Sequence, residues 1–386
     1  MARRKTREVA VGGIAIGGSS AISIQSMTSI PTANIFGTVK QICGLAECGC
    51  EIVRLAVSNA EDVKSLAEIK STLRRKGVAV PLVADVHFSP LIASDCLEVA
   101  DKVRINAGNF SDKILGQKAF SDGEFATGRE KLRSKLKVFF NRAKDLKKPV
   151  RIGINYGSLA PRIVYKFGHG EEAMWASAEE CLLAAEEVNF EAIILSFKAS
   201  DVQKIVRANR LACSHMDERG WNFPVHLGVT EAASGDYARV KSAVGIGTLL
   251  QEGIGDTIRV SLTEDPTEEI AVAKNILQAC GLRRYGVELV ACPSCGRTTY
   301  DIQKVLGEVR DALARMGGAK NFKVAVMGCA INGIGEAGDA DFAIVGGPGG
   351  MLAIYEGGKC IATRIAPDKI CEEFLQKCAG GRRNNP

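Results

Sequence analysis

Nothing in these 386 residues stays apolar for the roughly 18 positions that a bilayer span requires, and no signal-peptide pattern precedes the first strand-like segment. A cytoplasmic location without a membrane partner is the expectation. Aromatic residues are only 6% of the chain and do not interleave with a continuous basic face, so nucleic-acid binding is not expected either. With 46% hydrophobic and 24% charged residues, disorder is excluded as well. The thirteen cysteines are odd in number, and several, such as Cys181 and Cys213, lie in apolar segments, as reduced core thiols do. Cys48 and Cys50 end a helix-like stretch just before a strand and read as packing. Of the four histidines, His169, His215 and His226 lack neighbours that suggest a role.

The net charge of +6 is modest, and its visible clusters, residues 2–7 and Arg382-Arg383, read as solvated tails. A basic balance favours an acidic electron donor or a phosphorylated substrate.

Eight short β-branched or apolar runs read as strands: 22–27, 52–57, 81–87, 102–107, 150–155, 192–198, 225–231 and 257–263. Segments with helical spacing of apolar residues separate them, for example 62–75, 130–144, 176–188, 202–212 and 236–250. This alternation predicts a (β/α)₈ TIM-type barrel over residues 1–284, with a doubly wound open sheet as the competitor. Residues 285–386 are predicted to form a small α+β domain with strands at 287–292, 322–327, 342–345 and 352–355.

The middle and C-terminal positions of the barrel strands carry Gln25, Ser26, Arg54, Asp85, His87, Arg104, Asn106, Asn155, Lys198, Glu231, Arg259 and Ser261; Arg151 falls earlier in its strand. Side chains at such positions line the site of a barrel. Arg54, Arg104, Arg151, Lys198 and Arg259 outnumber the obvious anions, Asp85 and Glu231. Guanidinium forks match phosphate oxygens in pairs, so a diphosphate is the most economical ligand. Asp85 and Glu231 are then the candidates for proton transfer, with His87 as a donor or as a partner that fixes Asp85.

A C-x-x-C at Cys292 and Cys295 is followed at the end of a later strand by Cys329. Three thiolates suit a [4Fe-4S] cluster with one iron left for a weaker ligand or a substrate. Zinc with a carboxylate or histidine as fourth ligand fits the same spacing, and a thioredoxin-like pair would leave Cys329 idle. Gly333-Ile334-Gly335-Glu336-Ala337-Gly338 has the letters of a dinucleotide loop, but no helix is predicted after it. Its glycines read as turning closely around the metal. Residues 346–350 read as a hairpin turn.

Cys292-Pro293-Ser294-Cys295-Gly296-Arg297, Val326-Met327-Gly328-Cys329 with 332–336, Ala84-Asp85-Val86-His87, 103–108 and 253–261 together resemble the 4-hydroxy-3-methylbut-2-enyl diphosphate synthase family of the methylerythritol phosphate route to isoprenoids. The resemblance covers nearly the whole chain and is to the compact bacterial type. It implies an oxidoreductase in which Cys292, Cys295 and Cys329 bind a [4Fe-4S] cluster with Glu336 as a displaceable fourth ligand. It further implies that Arg54, Arg104, Arg151, Lys198, Arg259 and Ser261 hold the diphosphate of 2-C-methyl-D-erythritol 2,4-cyclodiphosphate. Asp85, His87, Asn106, Asn155 and Glu231 would surround the carbon skeleton. Ferredoxin or flavodoxin is the implied electron donor. A homodimer is implied too, the cluster domain of one subunit closing over the barrel of the other. The rival is a zinc-stabilised barrel hydrolase or lyase acting on a phosphorylated sugar.

Overall fold

The computed structural model of the protein describes residues 2–112, 119–315 and 322–380. The chain divides into two units, residues 1–283 and 284–386.

In the first unit a hairpin, β1 (Val9–Val11) and β2 (Ile14–Ile16), precedes eight strands. These are β3 (Ser23–Met27), β4 (Ile52–Ala56), β5 (Leu82–Val86), β6 (Lys102–Asn106), β7 (Val150–Asn155), β8 (Ile193–Lys198), β9 (His226–Leu227) and β10 (Thr257–Ile258). All paired neighbours are parallel, in the order β8-β7-β6-β5-β4-β3-β10-β9. A Leu195–Val225 bridge brings the two ends together, which makes the ring a (β/α)₈ barrel. Parallel strands need crossovers, and the helices that supply them start where a side chain can satisfy a free N–H: Asn34, Asn59, Ser89, Asp201 and Asp265 each cap one. Each cap fixes where a βα-loop ends and so where the strand before it delivers its last side chains.

The hairpin is absent from the sequence reading, because three-residue strands are too short to show a period. Val9, Val11 and Ile16 pack on Ile52, Val83 and Ile194 and seal the N-terminal end of the barrel. The basic N-terminus is likewise no free tail. Arg3 pairs with Asp256, Arg4 with Asp217 and Arg7 with Glu191, the Arg7 guanidinium lying over the Phe223 ring. Arg382 and Arg383 lie outside the described residues.

Strand pairing in β9 and β10 stops sooner than predicted. At Gly228 an added Cβ would lie 2.8 Å from Lys198 Nζ and 2.6 Å from the Arg259 carbonyl oxygen, so here the chain makes room for a cation. The charged stretch 111–148 holds the 24-residue helix Asp122–Asp145, opened by a capping box of Ser121 and Glu124. Its Leu132, Leu136, Phe139 and Phe140 are buried; residues 113–118 lie outside the described set.

The second unit carries a five-stranded sheet in the order β11 (Glu288–Ala291), β12 (Lys323–Met327), β13 (Phe342–Gly346), β14 (Leu352–Glu356), β15 (Lys359–Ile365). The first three are parallel and the last two antiparallel. Val305 and Val309 of the helix Ile302–Arg315 and Phe374 of Ile370–Gly380 share one core with Val324, Val326, Phe342, Ile344 and Ile354. The turn at Pro348–Gly350 joins β13 to β14 as a hairpin. The 333–338 glycines do not form a loop: they belong to the helix Ala330–Gly338, and Gly333 faces Met327 and Val345 where a Cβ would not fit.

Candidate active site

Alternation along a strand fixes which side chains enter the barrel. By strand register Met27, Arg54, Asp85, Arg104, Arg151, Lys198 and Arg259 share the inward face, and Met27, Arg54, Asp85, Arg104 and Arg259 are linked by contacts with one another. Asp85 accepts from Arg104 at 2.9 Å and lies 3.5 Å from Arg54. Arg104 also donates to Asn155 Oδ1 at 3.2 Å. Arg54 donates to the Met27 sulfur at 3.1 and 3.0 Å, and Arg259 pairs with Glu269 at 3.1 Å.

Burial by itself raises the Asp85 pKa, but the Arg104 guanidinium and then Arg54 hold it well below the usual carboxylate range. Asp85 is therefore held as an anion between two guanidinium groups. His87 is pushed below its ordinary value by burial and then by Arg104, so it is neutral near pH 7. Its Nε2 contacts Arg104, which can only donate, so that nitrogen accepts. The other ring nitrogen must then carry the proton. The Asn109 side-chain amide lies 3.0 Å from Nδ1 and holds the ring in place.

Burial, followed by neighbouring arginines, pushes Arg54 down to about 10. The same causes push Lys198 and Arg151 well below their ordinary values. An arginine remains protonated all the same. Asp85 and Glu269 are committed to Arg54, Arg104 and Arg259, so Arg151 and Lys198 have no carboxylate partner among the described residues. Such a surplus of buried positive charge calls for a polyanion.

Glu231 is exposed in the loop after β9 and has left-handed backbone at φ 49°, as do Ala233 at 74° and Phe88 beside His87 at 64°. Non-glycine residues held this way cluster at functional sites. Asn106 is less available than expected: it donates to Ser158 Oγ at 2.8 Å and accepts from Gly108 N at 2.9 Å, holding its own loop. Ser261 is half-buried, two residues beyond Arg259. Ser26 points away from the interior to Glu269, at 2.7 Å.

In the second unit, β11 and β12 end side by side, with Ala291 opposite Val326 and Cys292 N donating to Val326 O. That register delivers Cys292 and Cys329 to the same end of the sheet. Thr298 staples the loop between them: its Oγ1 accepts from Cys295 N at 3.1 Å and its N–H donates to Cys295 O. Ser294 has φ 69°, which turns the C-x-x-C tightly. Cys292, Cys295, Cys329, Arg297 and Asn332 line one cavity of about 190 Å³. The Gly328 N–H donates to the Cys292 sulfur at 3.2 Å. Among the described residues no three metal-ligating side chains close around one point, and Glu336 does not line the cavity. Glu336 does share the stripe of Cys329 and Asn332 on the helix Ala330–Gly338, whose side chains tilt towards its N-terminal end. Three thiols around one cavity, with a backbone N–H on a sulfur, suit an iron-sulfur group.

Residues 6–274 match the GcpE TIM-barrel domain and residues 288–379 the GcpE protein C-terminal domain. The chain belongs to the GcpE family. Among curated relatives, a protein of Gloeothece citriformis is 46% identical over 100% of this chain and 95% of its own. One of Synechocystis is 47% identical over the same shares. Both bear the name 4-hydroxy-3-methylbut-2-en-1-yl diphosphate synthase (ferredoxin). Among solved structures, the Bacillus subtilis spore coat polysaccharide biosynthesis protein spsE aligns over 72% of this chain and 74% of its own at 9% identity, with a TM-score of 0.46, too loosely to add to the argument.

Sequence reasoning missed several residues of this GcpE-family site. Glu269 anchors Arg259 from a helix, and Asn109 and Thr298 act through hydrogen bonds that no spacing rule signals. Gly153 is another: β7 has glycine where β6 and β8 carry side chains, and an added Cβ would collide with the Arg104 guanidinium. Gly153→Ala is therefore expected to push Arg104 off Asp85 and weaken diphosphate binding by roughly tenfold or more, since a charged hydrogen bond contributes about 1.5–3 kcal/mol. Titration calorimetry checks this; unchanged affinity would mean that Arg104 has no fixed place in binding.

Among the described residues, no helix is long and apolar enough to cross a membrane.

Proposed function

We propose that this chain is a 4-hydroxy-3-methylbut-2-en-1-yl diphosphate synthase of the methylerythritol phosphate route. It opens the ring of 2-C-methyl-D-erythritol 2,4-cyclodiphosphate and removes a hydroxyl group, giving 4-hydroxy-3-methylbut-2-enyl diphosphate. Full-length similarity to proteins of that name carries the reading, and a barrel interior whose cations exceed its carboxylates supports it. The substrate gains two electrons and two protons: the ring C–O bond breaks, its oxygen stays on the diphosphate, and the hydroxyl leaves as water.

Arg54, Arg104, Arg151, Lys198, Arg259 and Ser261 hold the diphosphate. Asp85 keeps Arg54 and Arg104 aimed, and His87, Asn155 and Asn106 face the carbon skeleton or the loops around it. Cys292, Cys295 and Cys329 hold a [4Fe-4S] cluster, with Glu336 as the displaceable fourth ligand. When bound, that cluster supplies single electrons and an iron site open to oxygen. Glu231, exposed and conformationally strained, protonates the departing hydroxyl. Replacing Glu231 with Gln is expected to lower kcat by roughly 100-fold and leave the affinity for the cyclodiphosphate nearly unchanged. Unaltered kcat in an anaerobic turnover assay would remove Glu231 from proton transfer.

The electron donor is ferredoxin, as in the names of the relatives, with flavodoxin the other acidic candidate. The protein works in the cytoplasm as a homodimer. Turnover of the cyclodiphosphate by anaerobically purified protein with reduced ferredoxin tests the assignment, and a colourless zinc protein without that activity would overturn it.

A further inference from the structure

Beneath the arginines of the mouth lies a second polar layer to which the reading above assigns little. Two-residue alternation puts Lys102 on the same face of β6 as Arg104, one step nearer the sealed end of the barrel. Register sets Arg151 beside Arg104, and His226 in line with Thr257 and Ser23. Lys102, Arg151 and His226 are each 0% exposed.

The Lys102 ammonium, all three Arg151 guanidinium nitrogens and both His226 ring nitrogens are buried without a hydrogen-bond partner among the described residues. So are the Gln25 amide and the Ser23 and Thr257 hydroxyls. The groups also feel one another. After burial, Arg151 contributes most to pushing down the pKa of Lys102, and Arg151, Lys198 and Lys102 do the same to His226. A polar core that serves structure alone pairs its own donors with its own acceptors. This one is rich in donors and cations, its nearest carboxylates are taken by other arginines, and its floor is the apolar plug of Val9, Val11 and Ile16. Water satisfies donors but does not balance the charge; a tetrahedral oxyanion does both.

We propose that Lys102 and His226, with Arg151, form a deep phosphate-class oxyanion subsite below the mouth. The proposal rests on the diphosphate reading of the barrel and extends it to two residues outside the predicted set. Lys102→Met keeps the length and apolar stem of the side chain and removes the charge, while His226→Gln removes the ring and keeps a donor. Inorganic diphosphate and orthophosphate are titrated calorimetrically into the full chain and both variants, and thermal unfolding is followed without ligand.

Lys102→Met is expected to bind inorganic diphosphate roughly 10- to 100-fold more weakly yet to melt higher than the parent, because a buried amine without a partner among the described residues is gone. His226→Gln is expected to weaken binding in the same direction. Orthophosphate added to diphosphate-saturated protein separates the sources. Exclusion means that the subsite takes the far phosphate of the diphosphate itself, and continued binding means that it holds free phosphate. Either result counts for the subsite only together with weaker binding of one probe in both variants. Parental affinity for both probes in both variants would overturn the subsite while leaving the mouth reading intact. A parent chain that binds neither probe would end both.

Discussion

Cys329→Ser, purified without oxygen, is expected to lose most of its iron and acid-labile sulfide and to turn over the cyclodiphosphate at least roughly a thousandfold more slowly. Inorganic diphosphate should bind it as it binds the parent. The reasoning starts from acidity: a serine hydroxyl does not ionise near neutral pH as a thiol does, so the third anionic ligand is gone. Cys292 and Cys295 alone grip two corners of a cluster. Cys329 also opens the helix Ala330–Gly338 at its N-cap, a place where serine is favoured, so the fold should survive. The residues proposed to hold the diphosphate belong to the other unit of the chain, which is why binding and turnover should separate. Full iron content with parental turnover would show that Cys329 is a bystander.

Asp85→Asn is expected to destabilise the barrel unit by about 3–5 kcal/mol, the usual cost of unpairing a buried ion pair, and to raise KM more than it lowers kcat. Asp85 lies between Arg104 at 2.9 Å and Arg54 at 3.5 Å. An amide of the same shape leaves both guanidinium groups facing Arg151 and Lys198 with no anion. The sign of the pH effect follows from the depressed pKa. A carboxylate whose folded pKa lies below its unfolded value of about 3.9 stabilises fully above that value, and the contribution is lost as pH falls towards the folded pKa. Acid unfolding of the parent below about pH 4 should therefore be blunted in Asp85→Asn. Denaturant titrations at neutral and acid pH, with steady-state kinetics, check both expectations. Were Asp85 the proton donor, kcat would collapse with stability and KM untouched.

The barrel was legible in the sequence because parallel strands buried on both sides are continuous β-branched runs, and because five interior cations are rare enough in a core to demand a reason. Arg151 was doubtful only because its depth depends on register, which pairs it with Arg104 across β6 and β7. Lys102 and His226 were in view but unread. Two-residue alternation already set Lys102 on the face of Arg104; what marks it is the absence of a nearby carboxylate, and that is a three-dimensional fact. For Asp85 the residue type suggested proton transfer; the two guanidinium groups that push its pKa down are visible only in the fold. The cysteine spacing was legible, but the means of bringing the three thiols to one cavity was not. Thr298 staples the loop, and the parallel register of β11 and β12 brings Cys292 and Cys329 to one end of the sheet. The 333–338 glycines misled because glycine in a helix usually weakens it, whereas Gly333 is there so that the helix can lie against Val345.

The central claim is that Cys292, Cys295 and Cys329 would hold an iron-sulfur group that takes part in the turnover of a diphosphate substrate. Electron paramagnetic resonance of the anaerobically purified, chemically reduced protein, recorded with and without the cyclodiphosphate, addresses it most directly. A reduced-cluster signal whose g-values change when substrate is added is the expected result. A signal indifferent to saturating substrate, or none in protein free of iron and sulfide, would contradict the claim.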